Sequence, residues 1–125
     1  MTKDEIARNI NYKTDLCRII ILNYEDAFKE GEIYDNQGKA ESWMCSDSTE
    51  NFQPEPLNGI EYDLYVDDIE CHKVNYNSEA ECDVLGATGC EVEGECLLSA
   101  ETKLRVTSCS YEDDMRCYVV HLKKV

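Results

Sequence analysis

The sequence predicts an α+β fold, with an N-terminal helix packed on a mainly antiparallel β-sheet over residues 1–125 as a single domain. Three observations point there. Apolar residues recur at helical spacing within residues 3–30, and apolar residues alternate with a largely acidic face from Ile60 to Asp67. Two apolar runs near the C-terminus flank a polar turn.

The helical part is expected at about 3–30, as one helix or as two with a break near Asn9 to Asn11. Thr2 and Glu5 have capping-box spacing, and Asp4 with Glu5 suits the positive end of a helix dipole. Ile6, Ile10, Cys17, Ile20, Ile21, Tyr24 and Phe28 form the stripe, and Gly31 is a natural stop. The run Arg18-Ile19-Ile20-Ile21 gives the opposite signal, since three β-branched residues in succession favour a strand.

The β-rich part is expected at about 31–125. Asp35-Asn36-Gln37-Gly38 has turn chemistry between Glu32-Ile33-Tyr34 and Ala40 to Met44, which together predict a hairpin. Residues 46–58 are polar, contain both prolines and read as a loop. Ile60, Tyr62, Leu64 and Val66 give one buried strand face, with Glu61, Asp63, Tyr65 and Asp67 on the other; Glu70 to Val74 extends that strand or begins a neighbour. Residues 75–95 read as irregular, and Leu97 to Ser108 with Met115 to Val125 as a terminal hairpin turning at Ser110 to Asp114.

Composition limits the function classes. The formal charge is −15, and residues 31–101 hold eighteen Asp/Glu against Lys39 and Lys73, a local −16. Such a field repels nucleic acid and anionic membrane and attracts basic surfaces. No apolar run approaches the ~18 residues of a membrane span, and the N-terminal Met-Thr-Lys-Asp-Glu is unlike a secretory signal, so a cytoplasmic protein is expected.

Eight cysteines fit a reducing compartment best as buried thiols or metal ligands, while in an oxidising one they would form disulfides. There is no Cys-x-x-Cys pair. Cys82, Cys90 and Cys96 cluster in the Gly-containing irregular segment, and Cys109 and Cys117 bracket the terminal turn. These five form the candidate set for a structural zinc, with Cys71 or His72 as a substitute. Cys17 and Cys45 read as small core residues.

Motifs for catalysis are absent. Cys71 and His72 are neighbours on a strand and point to opposite faces, so they do not form a nucleophile–base dyad. His121, between Val120 and Leu122, reads as structural. There is no phosphate-cradling glycine loop, no Gly-x-Ser-x-Gly elbow and no EF-hand pattern. The expectation is a non-enzyme that acts by binding.

The candidate binding surface is Glu61, Asp63, Asp67, Asp68 and Glu70 on the strand, continued by Glu79, Glu81 and Asp83 and then Glu91, Glu93 and Glu95. Tyr62, Tyr65, Tyr76 and Tyr111 could add contact area. The small size, the acidic strand Gly59-Ile60-Glu61-Tyr62-Asp63-Leu64-Tyr65-Val66-Asp67-Asp68 and the helix-plus-sheet layout resemble the small anti-CRISPR proteins of phages and mobile elements that inhibit type II CRISPR effector nucleases. The resemblance is one of profile, without a shared motif. It implies an inhibitor, in a bacterial host cell, that covers a basic, nucleic-acid-facing surface of the nuclease and blocks guide or target DNA loading. Two alternatives share the observations: an anti-restriction DNA mimic, and a small zinc-binding or redox adaptor whose acidity is incidental.

Overall fold

The computed structural model describes residues 2–45, 59–85 and 95–125. The expected loop at 46–58, Cys90, Glu91 and Glu93 lie outside them.

The chain starts as a helix only briefly. Helix α1 spans Lys3–Ala7, and Thr2 and Glu5 form the reciprocal capping box that their spacing predicts. It ends just before Asn9-Ile10-Asn11, and the next segment is strand β1, Tyr12–Leu22. The long N-terminal helix is therefore overturned. The Ile19-Ile20-Ile21 run decides the outcome, because β-branched side chains lose rotamer freedom in a helix and pack well on a pleated surface.

Strand β2 is Glu41–Cys45, β3 is Ile60–Lys73, β4 is Glu95–Leu98, β5 is Leu104–Glu112 and β6 is Cys117–Lys124; helix α2 spans Glu79–Leu85. The sheet order is β1-β2-β4-β3-β6-β5, and β1 also pairs with β3. The first four strands thus close on themselves into a small barrel, which β6 and β5 extend. About half of the described residues are strand. The helix-on-sheet α+β expectation gives way to a mainly β architecture, in which two short helices cover strand ends.

Strand β3 is the centre. It runs antiparallel to β1, from Tyr12↔Cys71 to Leu22↔Ile60, and parallel to β6, from Tyr62↔Tyr118 to Val66↔Leu122. Its last residues pair with β4 through His72↔Leu97. The register slips between Thr14 and Leu16, where Asp68 takes a positive φ of 51° and its N–H donates to the Asp15 carboxylate. Leu16, Trp43, Tyr62, Leu64, Val66 and Val120 fill the core.

The terminal hairpin forms as β5 against β6, with its turn at residues 113–116. The expected 32–44 hairpin does not close on itself. Asp35 and Asn36 do shape a turn through side-chain bonds to the N–H groups of Gln37 and Gly38. One arm, however, bonds to Leu104 and Val106, while β2 pairs with β1 and β4. Residues 79–85, read as irregular, form α2 instead. Its Glu81 carboxylate meets Nε2 of buried His72 at 2.5 Å, and Nδ1 of that ring meets the Asn9 carbonyl at 2.6 Å.

Candidate active site

Strand alternation places Arg18, Ile20 and Leu22 on the same side of the sheet as Leu64 and Tyr62. There they line a hollow of about 630 Å³ together with Phe28, Tyr34 and Ser42. A charge inside an apolar strand run must be partnered, and Arg18 is. Its Nη1 donates to the Ser42 carbonyl at 2.6 Å, and its Nη2 lies 3.8 Å from Glu41 Oε2. Its Nε is buried with no hydrogen-bond partner among the described residues. The exposed part of the guanidinium, its two Nη groups, is what faces the hollow.

Two neighbours hold this arrangement. The Tyr34 hydroxyl donates to Glu41 Oε2 at 2.9 Å, so Glu41 braces both Tyr34 and Arg18. Burial, and then the Glu41 carboxylate, push the Tyr34 phenol well above its ordinary range. Phe28 stacks beside Tyr34, with ring centroids 6.1 Å apart, and presents a flat aromatic wall.

Ser42 also reaches the other way. Its hydroxyl donates to Glu95 Oε2 at 2.8 Å and accepts from Lys3 Nζ at 3.0 Å. The Glu95 N–H donates to the Tyr76 hydroxyl at 3.1 Å, which fixes the start of β4. An ammonium from α1, a guanidinium from β1 and a serine from β2 thus meet at the hollow, while the Glu95 carboxylate of β4 is bonded to that serine without lining the hollow itself. Lys3, Arg18 and Lys39 line the hollow, three of the twelve cations of a strongly acidic chain. The arrangement can hold an anion beside an aromatic wall, with the Glu95 carboxylate one hydrogen bond beyond the lining through Ser42.

The acidic binding surface does not form as expected. β3 has neighbours on both sides, so it offers no edge to a partner. Asp67, Asp68, Glu70, Glu79 and Asp83 are exposed, but Glu61 is half-buried, Asp63 is buried and Glu81 is engaged by His72. Tyr62 is fully buried and donates to the Tyr24 carbonyl.

Of the five cysteines proposed for zinc, Cys90 lies outside the described residues and the other four fall in separate places. Cys82 donates to the Tyr76 carbonyl, Cys117 lies against Asp63, and Cys109 is half-buried on β5. Cys96 sits 3.5 Å from Cys45 and also bonds to Cys71. The Cys96 thiol donates to Cys71, which lowers the Cys71 pKa and, with burial, raises that of Cys96. Cys17 and Cys45 are buried, as their core reading expects.

Sequence reasoning missed Arg18 and Ser42 and saw Glu95 only as one acid among many. The available signal was a lone charge inside an apolar β-branched run.

No family model matches the sequence, and no curated protein matches it. Solved structures do. The Vis toxin of Vibrio splendidus, an ADP-ribosyltransferase, is 13% identical at a TM-score of 0.55, covering 93% of this chain and 50% of that one. The ADP-ribosyltransferase HopU1 of Pseudomonas syringae pv. tomato is 16% identical at 0.57, covering 91% and 45%. The type III effector XopAI of Xanthomonas axonopodis pv. citri is 10% identical at 0.56, covering 98% and 46%. The likeness is one of fold, and the chain spans about half the length of these proteins.

The fold of known transferases and the central position of β3 overturn the anti-CRISPR resemblance and the reading as a non-enzymatic inhibitor of a CRISPR effector nuclease. The basic protein partner expected with that reading goes with it, and neither an anti-restriction mimic nor an incidental adaptor gains support. Among the described residues, no helix is long and apolar enough to cross a membrane.

Proposed function

We propose that this chain carries the donor-binding and reacting groups of an ADP-ribosyltransferase. The observation that supports it is the Arg18–Ser42–Glu95 chain of contacts across three strands, at a hollow, in a fold shared with such enzymes. NAD+, the donor these enzymes use, supplies a diphosphate, two flat rings and a ribose carbon bonded to a positively charged leaving group.

Each feature has a counterpart. The part-exposed Arg18 guanidinium on the hollow meets a diphosphate oxygen through a charge-assisted bond. Lys3 and Lys39 add to the positive field. Phe28 and Tyr34 offer a face for a planar ring. Glu95 places negative charge where positive charge develops at the ribose carbon as the glycosidic bond breaks. Nicotinamide leaves with the electron pair of that bond, and a lone pair of the acceptor nucleophile forms the new one. The acceptor's proton passes to a carboxylate or to water. Ser42 holds Glu95 in position throughout.

None of the seven cysteines among the described residues is in a disulfide, which suits the reducing cytoplasm.

The test is nicotinamide release from NAD+ by the 125-residue chain and by its Glu95→Gln variant. The expected loss in the variant is about 10²- to 10³-fold, with NAD+ binding kept. A folded chain that neither binds NAD+ nor releases nicotinamide, in the presence or absence of an amine acceptor, sinks the proposal.

A further inference from the structure

On the face of the sheet opposite Arg18, a second cluster is built from β3 and β6. Glu61 and Asp63 are two residues apart on β3 and so project to the same side. Their partners across β1 are Ile21 and Ile19, whereas the hollow is lined by Ile20 and Leu22. Cys117 enters at the start of β6, one step before the Tyr62↔Tyr118 pair. One oxygen of each carboxylate and the Cys117 sulfur lie within 4.8 Å of one another.

Asp63 is the unusual member. It is only 4% exposed, yet its Oδ1 has no hydrogen-bond partner among the described residues. Its Oδ2 has only the weak thiol donor of Cys117, at 3.6 Å. The neighbouring Glu61 carboxyl can share a proton with Asp63 but supplies no donor when both are ionised. A buried carboxylate oxygen without a donor is costly, and neither acid has an ion pair among the described residues. Burial raises the Asp63 carboxyl to about 7, with Glu61 adding to the shift. Burial and then Asp63 push the Cys117 thiol up to about 12.

We propose that Glu61, Asp63 and Cys117 bind one zinc ion. The Asp63–Cys117 pair is already at the separation that a shared ion needs. Bonds of about 2.3 Å to sulfur and about 2.0 Å to oxygen, at a tetrahedral angle, put those two ligand atoms about 3.5 Å apart. The observed Cys117 Sγ to Asp63 Oδ2 separation is 3.6 Å. One thiolate with two carboxylates suits zinc, a borderline-soft ion, better than magnesium or calcium, which take oxygen ligands only. Glu61 is half-buried and borders an open hollow with Gly59 and Arg116, which gives the ion a route in and leaves a fourth position for water. Cys17 and Tyr65, the other titratable groups beside Asp63, have their protons held by burial. On binding, the Cys117 proton leaves to solvent and the ligand is the thiolate. The site is independent of the transferase reading, since it faces away from Arg18.

Cobalt titration of the chelator-treated chain tests this, because a thiolate-to-cobalt charge-transfer band reports the sulfur ligand directly. The expected result is one equivalent of cobalt, displaced by zinc. Cys117→Ser should abolish the band, and Asp63→Asn should weaken binding at least tenfold. Cys45→Ser and Cys82→Ser should bind as the parent does. A folded parent chain that takes up no cobalt, with its acids merely sharing a proton, overturns the proposal, and so does a band that survives Cys117→Ser. Should Cys117→Ser not fold, Glu61→Gln at the half-buried rim gives the same readout, and unchanged affinity there also overturns it.

Discussion

The Ser42 hydroxyl donates to Glu95 Oε2 at 2.8 Å, while the backbone carbonyl of the same residue accepts from Arg18 Nη1 at 2.6 Å. One residue of β2 thus holds the carboxylate with its side chain and the guanidinium with its main chain. The two functions are separable by mutation. Ser42→Ala removes the first contact and leaves the second. It should lower kcat for nicotinamide release by about tenfold or more, from loss of one charge-assisted hydrogen bond of ~1.5–3 kcal/mol. NAD+ affinity should change less than threefold. Steady-state kinetics with a separate binding isotherm give both numbers, and Ser42→Thr, which keeps a hydroxyl, should recover part of the turnover.

Arg18 gives the complementary outcome. Lysine keeps the charge but cannot reach the Ser42 carbonyl, face Glu41 and offer a third donor at once. Arg18→Lys should weaken NAD+ binding by about tenfold to a hundredfold, the equivalent of one charged hydrogen bond. Calorimetric titration checks this. Equal affinity in the two proteins would remove Arg18 from the donor site.

Asp63 makes stability depend on pH in a direction opposite to that of most acids. Its carboxyl sits at about 7 in the folded chain, because of burial and then Glu61, against an ordinary value of 3.8. Between those values the folded state binds the extra proton, so stability falls as pH rises. The contribution is complete below about pH 4 and lost above about pH 7. By linkage it amounts to about 4 kcal/mol at most. Chemical denaturation in chelator at pH 4, 5.5 and 7.5 should show Asp63→Asn gaining stability relative to the parent as pH rises. A difference independent of pH would place the Asp63 proton elsewhere.

The thiols divide by access rather than by acidity. Cys71 is the acidified one, through the bond from Cys96, yet it is buried with Cys45 and Cys96. Cys82 and Cys109 are half-buried and open to reagents. Pulsed alkylation followed by mass spectrometry should modify Cys82 and Cys109 first. Cys17, Cys45, Cys71, Cys96 and Cys117 should react only as the chain unfolds. Early labelling of Cys71 would mean that its strand opens locally.

Parts of the fold could be read from local pattern because local pattern causes them. The Ile60 to Val66 alternation is the two-residue period of a strand with one core face, and β3 has it. The Thr2–Glu5 box needs four residues and forms in full. β1 was misread because Ile6, Ile10, Cys17 and Ile20 satisfy a helical spacing, although Ile6 belongs to α1, Ile10 to the link after it, and Cys17 and Ile20 to β1. Only the ten-residue register with β3 settles the conflict, and that contact is remote in sequence. The site is illegible for the same reason. Arg18, Ser42 and Glu95 lie 24 and 53 residues apart along the chain and meet only once β1, β2 and β4 are side by side. The acidity misled because it counted carboxylates without their directions: Asp63 and Glu81 face inward, against Cys117 and His72.

The closing of the barrel also depends on a residue with no side chain. Gly59 immediately precedes β3 and lies against the end of β1. A Cβ there would come within 2.4 Å of Ile21 Cγ2 and 2.9 Å of the Leu22 carbonyl oxygen. The isoleucine methyl is a short branch on a stiff side chain and the carbonyl is fixed in the ladder, so neither can yield without moving the β1–β3 pair. Gly59→Ala should therefore destabilise the chain by about 1–3 kcal/mol, the usual cost of overpacking. That cost exceeds the ~0.4–1 kcal/mol gained by restricting the unfolded chain. Urea denaturation followed by circular dichroism measures the net change. Gly38→Ala is the control, because no atom lies within 4 Å of its Cβ position and its positive φ of 68° is the only strain. If Gly59→Ala proved as stable as the parent, the ends of β1 and β3 would have to separate more readily than their pairing implies.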